Sequence, residues 1–374
     1  MDKKIRYFSY RGCNDPIRLR KNSPAADSKI DYIVDVLNRS GYMVELISKA
    51  SSSTNKFLPM YSKVEGKNTY QYFASFGITT SIFRVVNRWL LDLQFFLWCF
   101  FHLKRGETII VYHSLGYTST FLMLKRIKKL NIIGEIEELY QDVHVLSKSV
   151  CKSEINFIES CSKYLFPTIL MDKLLNKSSK PSIIIHGLYS VEQIMEKKYN
   201  DGRIHVVYGG TLDPAKGGAI AAVKSAEYLP SNYHLHICGF GEATYILDLI
   251  AKVNLKTKAI VTFEGELNGE KYVRFIQKCH IGLSTQNPSA AFNDTSFPSK
   301  ILVYLSNGLR VVSVRIPVVE FSSVGGRITY YENQDPKEIA QAVVKASNAG
   351  LDGRQLLHKL DQQFERNLKS ILLQ

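Results

Sequence analysis

Lys216 and Lys300 each stand where an apolar strand has run through a turn of small residues into a helix. Helix N-termini expose unpaired N–H groups and a partial positive charge, and an ammonium beside them adds a full one, so such a pair suits a diphosphate. In HVVYGGTLDPAKGGAIAAVKSAEYL the pattern predicts a strand over 205–208, a turn over 209–216 and an Ala-rich helix from about Gly217. A second strand, HLHICGFGE, ends in Gly239-Phe240-Gly241, where missing Cβ atoms let a ligand approach the backbone. A third unit, HIGLSTQ, leads through a polar loop to FPSKILVYLSNG, so Ser299 is expected to cap a helix beginning near Lys300 and Gly308 to end it. Residues 264–267, Glu266 among them, follow a further strand. The strand ends converge on one crevice.

Two groups in the first half carry chemistry of another kind. His113 ends the strand TIIVYHSLGY, a position that suits a general acid/base or a sugar-binding group; a hydrogen-bonded structural role is the plainer alternative. GEIEELYQDV supplies Glu135, Glu137 and Glu138, and alternation puts Glu135 and Glu137 on the same side of an extended segment. Paired carboxylates can orient sugar hydroxyls or assist proton transfer, and a negatively charged turn is the simpler reading. The chain opens with a β–loop–α–β pattern whose helix is expected over Asp27–Arg39, and 51–67 reads as an exposed polar loop.

The order of these motifs resembles a family. Gly210-Thr211-Leu212 followed by Lys216-Gly217 is similar to the G-R-L-x-x-x-K-G segment of the retaining GT-B glycosyltransferases of group 1 (family 4-like), the type that builds bacterial surface polysaccharides. Phe297-Pro298-Ser299-Lys300 with Tyr304-Leu305 and Gly308 is similar to that family's F-P-S-K-x-x-E-Y-L-x-x-G helix. Thr211 stands where the family has a phosphate-binding arginine, an exchange expected to cost about 1–3 kcal/mol of donor binding. Val303 and Thr295 stand where the E-x7-E carboxylates would fall. The resemblance implies an α/β GT-B fold of two Rossmann-like domains with parallel sheets facing an inter-domain cleft. It implies transfer with retention from a UDP-, GDP- or dTDP-sugar to a lipid-linked or polysaccharide acceptor, in O-antigen or capsule synthesis. No cofactor and no metal are expected; Lys216, His113 and Glu137 become the catalytic candidates, and Gly210, Thr211, Gly217, Gly239, Gly241, Glu266 (in the segment 264–267 expected to flank the base), Pro298, Ser299 and Lys300 the donor-binding set. The missing carboxylates motivate one alternative, a non-catalytic nucleotide-sugar or polysaccharide-binding homologue in an assembly complex. A dinucleotide-dependent oxidoreductase is set aside because Thr244 stands where the third glycine of its fingerprint belongs.

Length and composition bound the rest. With 374 residues, 45% of them hydrophobic, the chain can bury two cores. The polar segment 189–202 suggests a boundary, giving 1–187 as an acceptor-side domain, 188–352 as the nucleotide-sugar domain, and 353–374 as a helix crossing back to the first. Six cysteines without C-x-x-C or histidine-coupled spacing suggest neither a disulfide framework nor a zinc site. The N-terminus MDKKIRYFSYRG lacks an apolar signal region, so a cytoplasmic location is expected.

A formal charge of +14 calls for an anionic partner. Arg18 and Arg20 in an early loop, and Lys125 and Arg126 on a helix, are the candidate acceptor-binding or anionic-surface groups. No nucleic-acid motif accompanies them, so a membrane leaflet or phosphorylated lipid carrier is the expected partner, with the protein peripheral at the inner face of the plasma membrane. Residues 82–103 are too interrupted by polar groups to span a bilayer. They read as an amphipathic helix with Ile82, Val85, Val86, Trp89, Leu90 and Leu93 on its apolar face, either packed in the first domain or lying in the plane of a membrane surface.

Overall fold

The computed structural model describes residues 3–373 except 14, 16, 22, 78–80, 144, 215–216, 291–292, 294 and 351, and except the side chains of 81–83 and 143. Two units emerge, Met1–Ile185 with Gln363–Gln374, and His186–Gln362. The first unit contains β1 (Lys3–Ser9), α1 (Pro24–Arg39), β2 (Tyr42–Ser48), β3 (Tyr61–Glu65), β4 (Asn68–Tyr72), α2 (Ser81–His102) and β5 (Thr108–Tyr112). It continues with α3 (Leu115–Lys128), β6 (Asn131–Glu135), α4 (Tyr140–Val143), α5 (Lys148–Ser160), β7 (Lys163–Phe166), α6 (Ile169–Leu175) and β8 (Ser182–Ile184). The second unit contains β9 (Ile204–Leu212), α7 (Gly218–Ser225), β10 (Tyr233–Gly241), α8 (Ala243–Asn254), β11 (Ile260–Phe263), α9 (Gly269–Lys278) and β12 (Ile281–Ser284). After these come α10 (Lys300–Ser306), β13 (Arg310–Val314), α11 (Pro317–Glu320), β14 (Ile328–Tyr331), α12 (Pro336–Ser347) and α13 (Arg354–Leu373).

The central strands are apolar on both faces, as a parallel sheet covered by helices requires: Tyr7, Phe8, Ile109, Ile110, Val111, Ile132 and Ile133 are all fully buried. In the second unit the six strands run β11-β10-β9-β12-β13-β14, all parallel, which is the doubly wound dinucleotide-binding order. Strand order reverses between β9 and β12, and ligands of such sheets lie beyond the carboxyl ends of the strands at that point. The first unit repeats the pattern in β4-β2-β1-β5-β6-β7, extended by β8 and edged by β3.

Three local expectations change. The stretch 51–67 is only partly loop, because Gly66 at φ +58° turns β3 back antiparallel to β4. A short, polar, exposed edge strand carries none of the apolar alternation that marks a buried one. Helix α1 starts at Pro24, three residues before Asp27: proline suits a first helical position, where its missing N–H has no partner to lose. Strand β9 runs on through Gly209–Leu212, the segment expected as a turn, because each of those residues pairs with one of Cys238–Gly241 on β10.

Helix α2 presents a different face from the one its sequence suggests. Asn87, Leu91, Phe95, Cys99 and Leu103 are buried, and Phe95 packs edge-on against Phe8, Phe73 and Phe121. Polar groups join this inward side: Asn87 Oδ1 accepts from the Phe76 N–H at 2.8 Å, and Gln94 bonds both backbone groups of Ala74. The stripe Val85, Trp89, Leu93, Leu97 and Phe101 faces outward, with Trp89 and Phe101 each 74% exposed. No helix among the described residues is long and apolar enough to cross a membrane.

Candidate functional site

At the carboxyl end of β9, glycines bring two backbones together. Gly210 and Gly239 are register partners on β9 and β10, and a Cβ on Gly239 would lie 1.7 Å from the Gly210 carbonyl oxygen. The space that a Gly239 side chain would need is therefore taken up by the neighbouring strand. Gly241, at φ +122°, is similarly set against the Leu212 backbone.

Helix α10 is tied to this end of the sheet by a buried tyrosine. The Tyr304 hydroxyl accepts from the Gly209 N–H at 2.9 Å and donates to the Leu283 carbonyl at 3.4 Å, joining β9 and β12 to the helix. One turn earlier on the same helix face lies Lys300. Its ammonium sits 4.3 Å from the centre of the Tyr208 ring, and a Cβ on Gly210 would meet it at 3.0 Å. The N-terminus of α7 adjoins the same region: Gly217 adopts φ +67°, Thr285 donates to the Gly218 carbonyl at 2.7 Å, and Gln334 donates to the Thr285 carbonyl at 3.3 Å. Lys300, Gly210, Thr211 and the first amides of α7 thus lie around the switch point. Lys216 falls outside the described residues.

Other members of the expected set are placed differently. Helix α10 does begin at Lys300, yet Ser299 is already in helical conformation and makes no capping bond. The Ile301 N–H reaching the Pro298 carbonyl at 3.0 Å shows why: the turn is wound from Pro298 onward. Gly308, at φ +71°, follows the helix end as expected. Glu266 is exposed and accepts from Asn268 at 3.0 Å, whereas Glu264 turns to His236 at 2.8 Å. Thr295 is buried and Val303 half-buried.

In the first unit His113 follows β5 and is 2% exposed. Its ring stacks on Phe157, leans on Tyr140, and has Nε2 3.4 Å from Glu154 Oε1, with neither nitrogen in a well-aligned hydrogen bond. Burial holds the imidazole down to about 4, against the upward pull of the Glu138 backbone, so it is neutral at pH 7. Glu137 instead pairs with the buried Lys29 at 2.5 Å. Glu135 is fully buried, takes a short bond from the Tyr7 hydroxyl, and is held well above the usual carboxylate range by burial and by the charge of Glu137. His113 and Glu137 therefore have separate partners.

The basic groups read as an anionic surface are largely committed elsewhere. Arg20, 2% exposed, donates to the Ala50 carbonyl at 2.7 Å and lies over Tyr72. Arg18 lies over Tyr61 at 4.2 Å. Lys125 is half-buried and donates to the Ser160 carbonyl and, at 3.2 Å, to the Ser162 hydroxyl, leaving Arg126 as the exposed member of its pair. Long cationic stems fold onto carbonyls and rings when apolar surface is near. A cationic hollow that sequence reading missed lies instead at the carboxyl ends of β1 and β2, a cavity of about 530 Å³ lined by Tyr10, Lys21, Lys49, Arg84, Arg88 and Leu91 among others. Those residues are scattered over eighty positions with no common motif, so only the strand order gathers them. Tyr304 was legible as part of the helix segment, but its pinning role was not.

No family model and no curated protein sequence matches this chain. Solved structures do. A trehalose-6-phosphate synthase described as OtsA superposes with a TM-score of 0.68 at 11% identity, over 100% of this chain and 99% of that one. The Escherichia coli protein bound with UDP-2-fluoro glucose gives 0.66 at 10% identity, over 98% and 96%. A UDP-forming α,α-trehalose-phosphate synthase from Burkholderia xenovorans in complex with glucose-6-phosphate gives 0.59 at 11%, over 98% and 97%. At these identities the likeness speaks for architecture: the chain has the α/β GT-B fold along its whole length.

Proposed function

We propose that this chain is a glycosyltransferase that moves a sugar from a nucleotide-sugar donor, with retention at the anomeric carbon, to a lipid-linked or polysaccharide acceptor in building a cell-surface polysaccharide. The observation that carries this is the Lys300 ammonium beside Gly210, at the switch point of a doubly wound sheet and next to the N-terminus of α7. Lys300 and the amides of Gly217 and Gly218, joined by Lys216 as the sequence reading has it, would stabilise the charge growing on the leaving diphosphate, an electrostatic contribution that needs no proton transfer. Whole-length likeness to structures of UDP-forming sugar transferases, one of them holding a UDP-sugar analogue, supports the donor class.

The acceptor belongs to the first unit in this reading. Its hollow is walled by Lys21, Lys49, Arg84 and Arg88, which suits a phosphorylated acceptor. Within that hollow Lys49 bonds Asp92 and the Gly116 carbonyl. The outward apolar stripe of α2, flanked by exposed Arg88, Lys104 and Arg105, favours an acceptor presented at an anionic membrane surface, with the protein peripheral on its cytoplasmic side. A soluble sugar phosphate is the second reading, favoured by the structural relative that holds glucose-6-phosphate.

Purified protein is incubated with UDP-, GDP- and dTDP-sugars plus either membrane extract or a panel of sugar phosphates, and nucleoside diphosphate release is scored. Release that depends on extract supports the lipid-linked acceptor, and release with a sugar phosphate supports the soluble one. Binding of a nucleotide sugar without release under any condition returns the chain to a non-catalytic role.

A further inference from the structure

Four of the nine histidines gather on the six-stranded sheet, well away from the donor turn. Register brings them there. His205 on β9 is the partner of His234 on β10, His236 is the partner of Thr262 on β11, and residues two apart on a strand share a face. His280, just before β12, accepts from the His205 N–H at 3.0 Å through Nδ1. His205 and His236 are buried and His234 half-buried. Gly210 lies five residues further along β9 than His205, roughly 16 Å away.

The hydrogen-bond partners decide which nitrogen of each ring carries hydrogen. Asp201 Oδ1 lies 3.0 Å from His205 Nε2, and Glu264 Oε1 lies 2.8 Å from His236 Nδ1. A carboxylate only accepts, so both of those nitrogens are N–H. Thr262 gives its hydroxyl hydrogen to Glu264 at 2.5 Å and therefore accepts from His234 Nε2 at 3.0 Å. A lone pair is left on His205 Nδ1, on His236 Nε2 and on His234 Nδ1. The first two face each other at 2.9 Å, an arrangement that repels unless a cation lies between them. One donor atom from each of the three rings falls within 4.8 Å of the others.

We infer that His205, His234 and His236 form a binding site for a divalent transition metal of the zinc class, completed by water and held in orientation by Asp201 and Glu264. Imidazole ligands whose outer N–H groups are fixed by carboxylates are the usual construction of such sites. Metal–nitrogen bonds of about 2.0–2.1 Å set tetrahedral ligands roughly 3.3 Å apart, so the His205–His236 pair must part by a few tenths of an ångström while His234 swings inward. The bound ion would staple β9 and β10 together. It would also hold the segment entering the second unit, whose Tyr199 stacks on His205 at 4.1 Å and whose Asp201 orients the same ring. The site is structural and stands apart from the transfer chemistry.

The full-length protein, purified without a polyhistidine tag and stripped with EDTA, is titrated with zinc chloride by calorimetry and then followed through thermal unfolding. One equivalent binds at micromolar affinity or tighter and raises the melting midpoint by several degrees, and EDTA reverses the shift. His234→Ala, at the half-buried ring, removes both effects. Asp201→Asn, at an exposed carboxylate, keeps the fold and weakens binding about 10–100-fold. His358→Ala, an exposed histidine on α13, changes neither. If the parent protein takes up no stoichiometric zinc, the facing nitrogens share a proton and the assignment is overturned; wild-type affinity in His234→Ala overturns it equally. Sugar transfer is not a readout here, so the outcome is independent of the proposed enzyme activity.

Discussion

The Tyr304 hydroxyl accepts the Gly209 N–H at 2.9 Å, and one helical turn away this sets the Lys300 ammonium against Gly210. A buried phenol that bonds strand backbone fixes both the rotation of α10 about its axis and the height of Lys300 above the sheet. The relationship links a packing residue to the candidate donor site.

Lys300→Ala is expected to lower nucleotide-sugar turnover about 100-fold, the scale on which single preorganised donors to a developing anion act. Circular dichroism and the unfolding midpoint should stay close to the parent, since Lys300 is half-buried on a helix end. Tyr304→Phe leaves the Gly209 N–H without its partner in a buried place and should destabilise by about 1–3 kcal/mol, with a smaller fall in turnover. Parent-like nucleoside diphosphate release from Lys300→Ala would remove the phosphate assignment.

Gly239→Ala tests the close approach of β9 and β10. A methyl 1.7 Å from the Gly210 oxygen cannot be housed without shifting strand backbone, and φ +149° adds strain for any side chain. A loss of about 3 kcal/mol or more is expected in urea unfolding, with donor binding lost in parallel. A stable variant that fails only in donor binding would instead reopen the position to the nucleotide.

The buried imidazole of His113 gives a signed pH dependence. Its folded pKa of about 4 lies below the ordinary value, so as pH falls below about 6.5 the unfolded chain takes up a proton that the folded one refuses. Stability is therefore lost as pH falls from about 6.5 towards 4, by roughly 3 kcal/mol from this group. Urea unfolding of the parent and His113→Gln at pH 7 and pH 4.5 measures it: the gap between the two proteins should narrow or invert on the acid side. An unchanged gap would mean the ring titrates alike in both states.

The outward stripe of α2 is tested by a double substitution, Trp89→Ser with Phe101→Ser. Both rings are mostly exposed, so folding stability should change by less than about 1 kcal/mol. Flotation with anionic vesicles should weaken by about tenfold or more, because each ring is expected to bury in the interface. Parent-like flotation of the variant, or none by the parent, would leave the soluble sugar phosphate as the acceptor to pursue.

Strand-turn-helix order, two domains and the helix beginning at Lys300 were legible in the sequence because each rests on local pattern: apolar runs, glycine turns and an Ala-rich helix. Even the extent of β9 was not, since Gly209–Leu212 are strand only through pairing with β10, and turn composition outweighed that distant partner. Which side of α2 is buried was not legible for a related reason. Periodicity finds the most apolar face, whereas the strands beneath it offered Asn87 and Gln94 backbone partners and turned Trp89 outward. Arg20 and Lys125 counted as surface charge until nearby carbonyls took their hydrogens. In the histidine cluster only the 234/236 pair has a spacing to read: His205 joins it because parallel register sets neighbouring strands side by side. Composition and period act along the chain, and only the tertiary structure decides which residues meet across it.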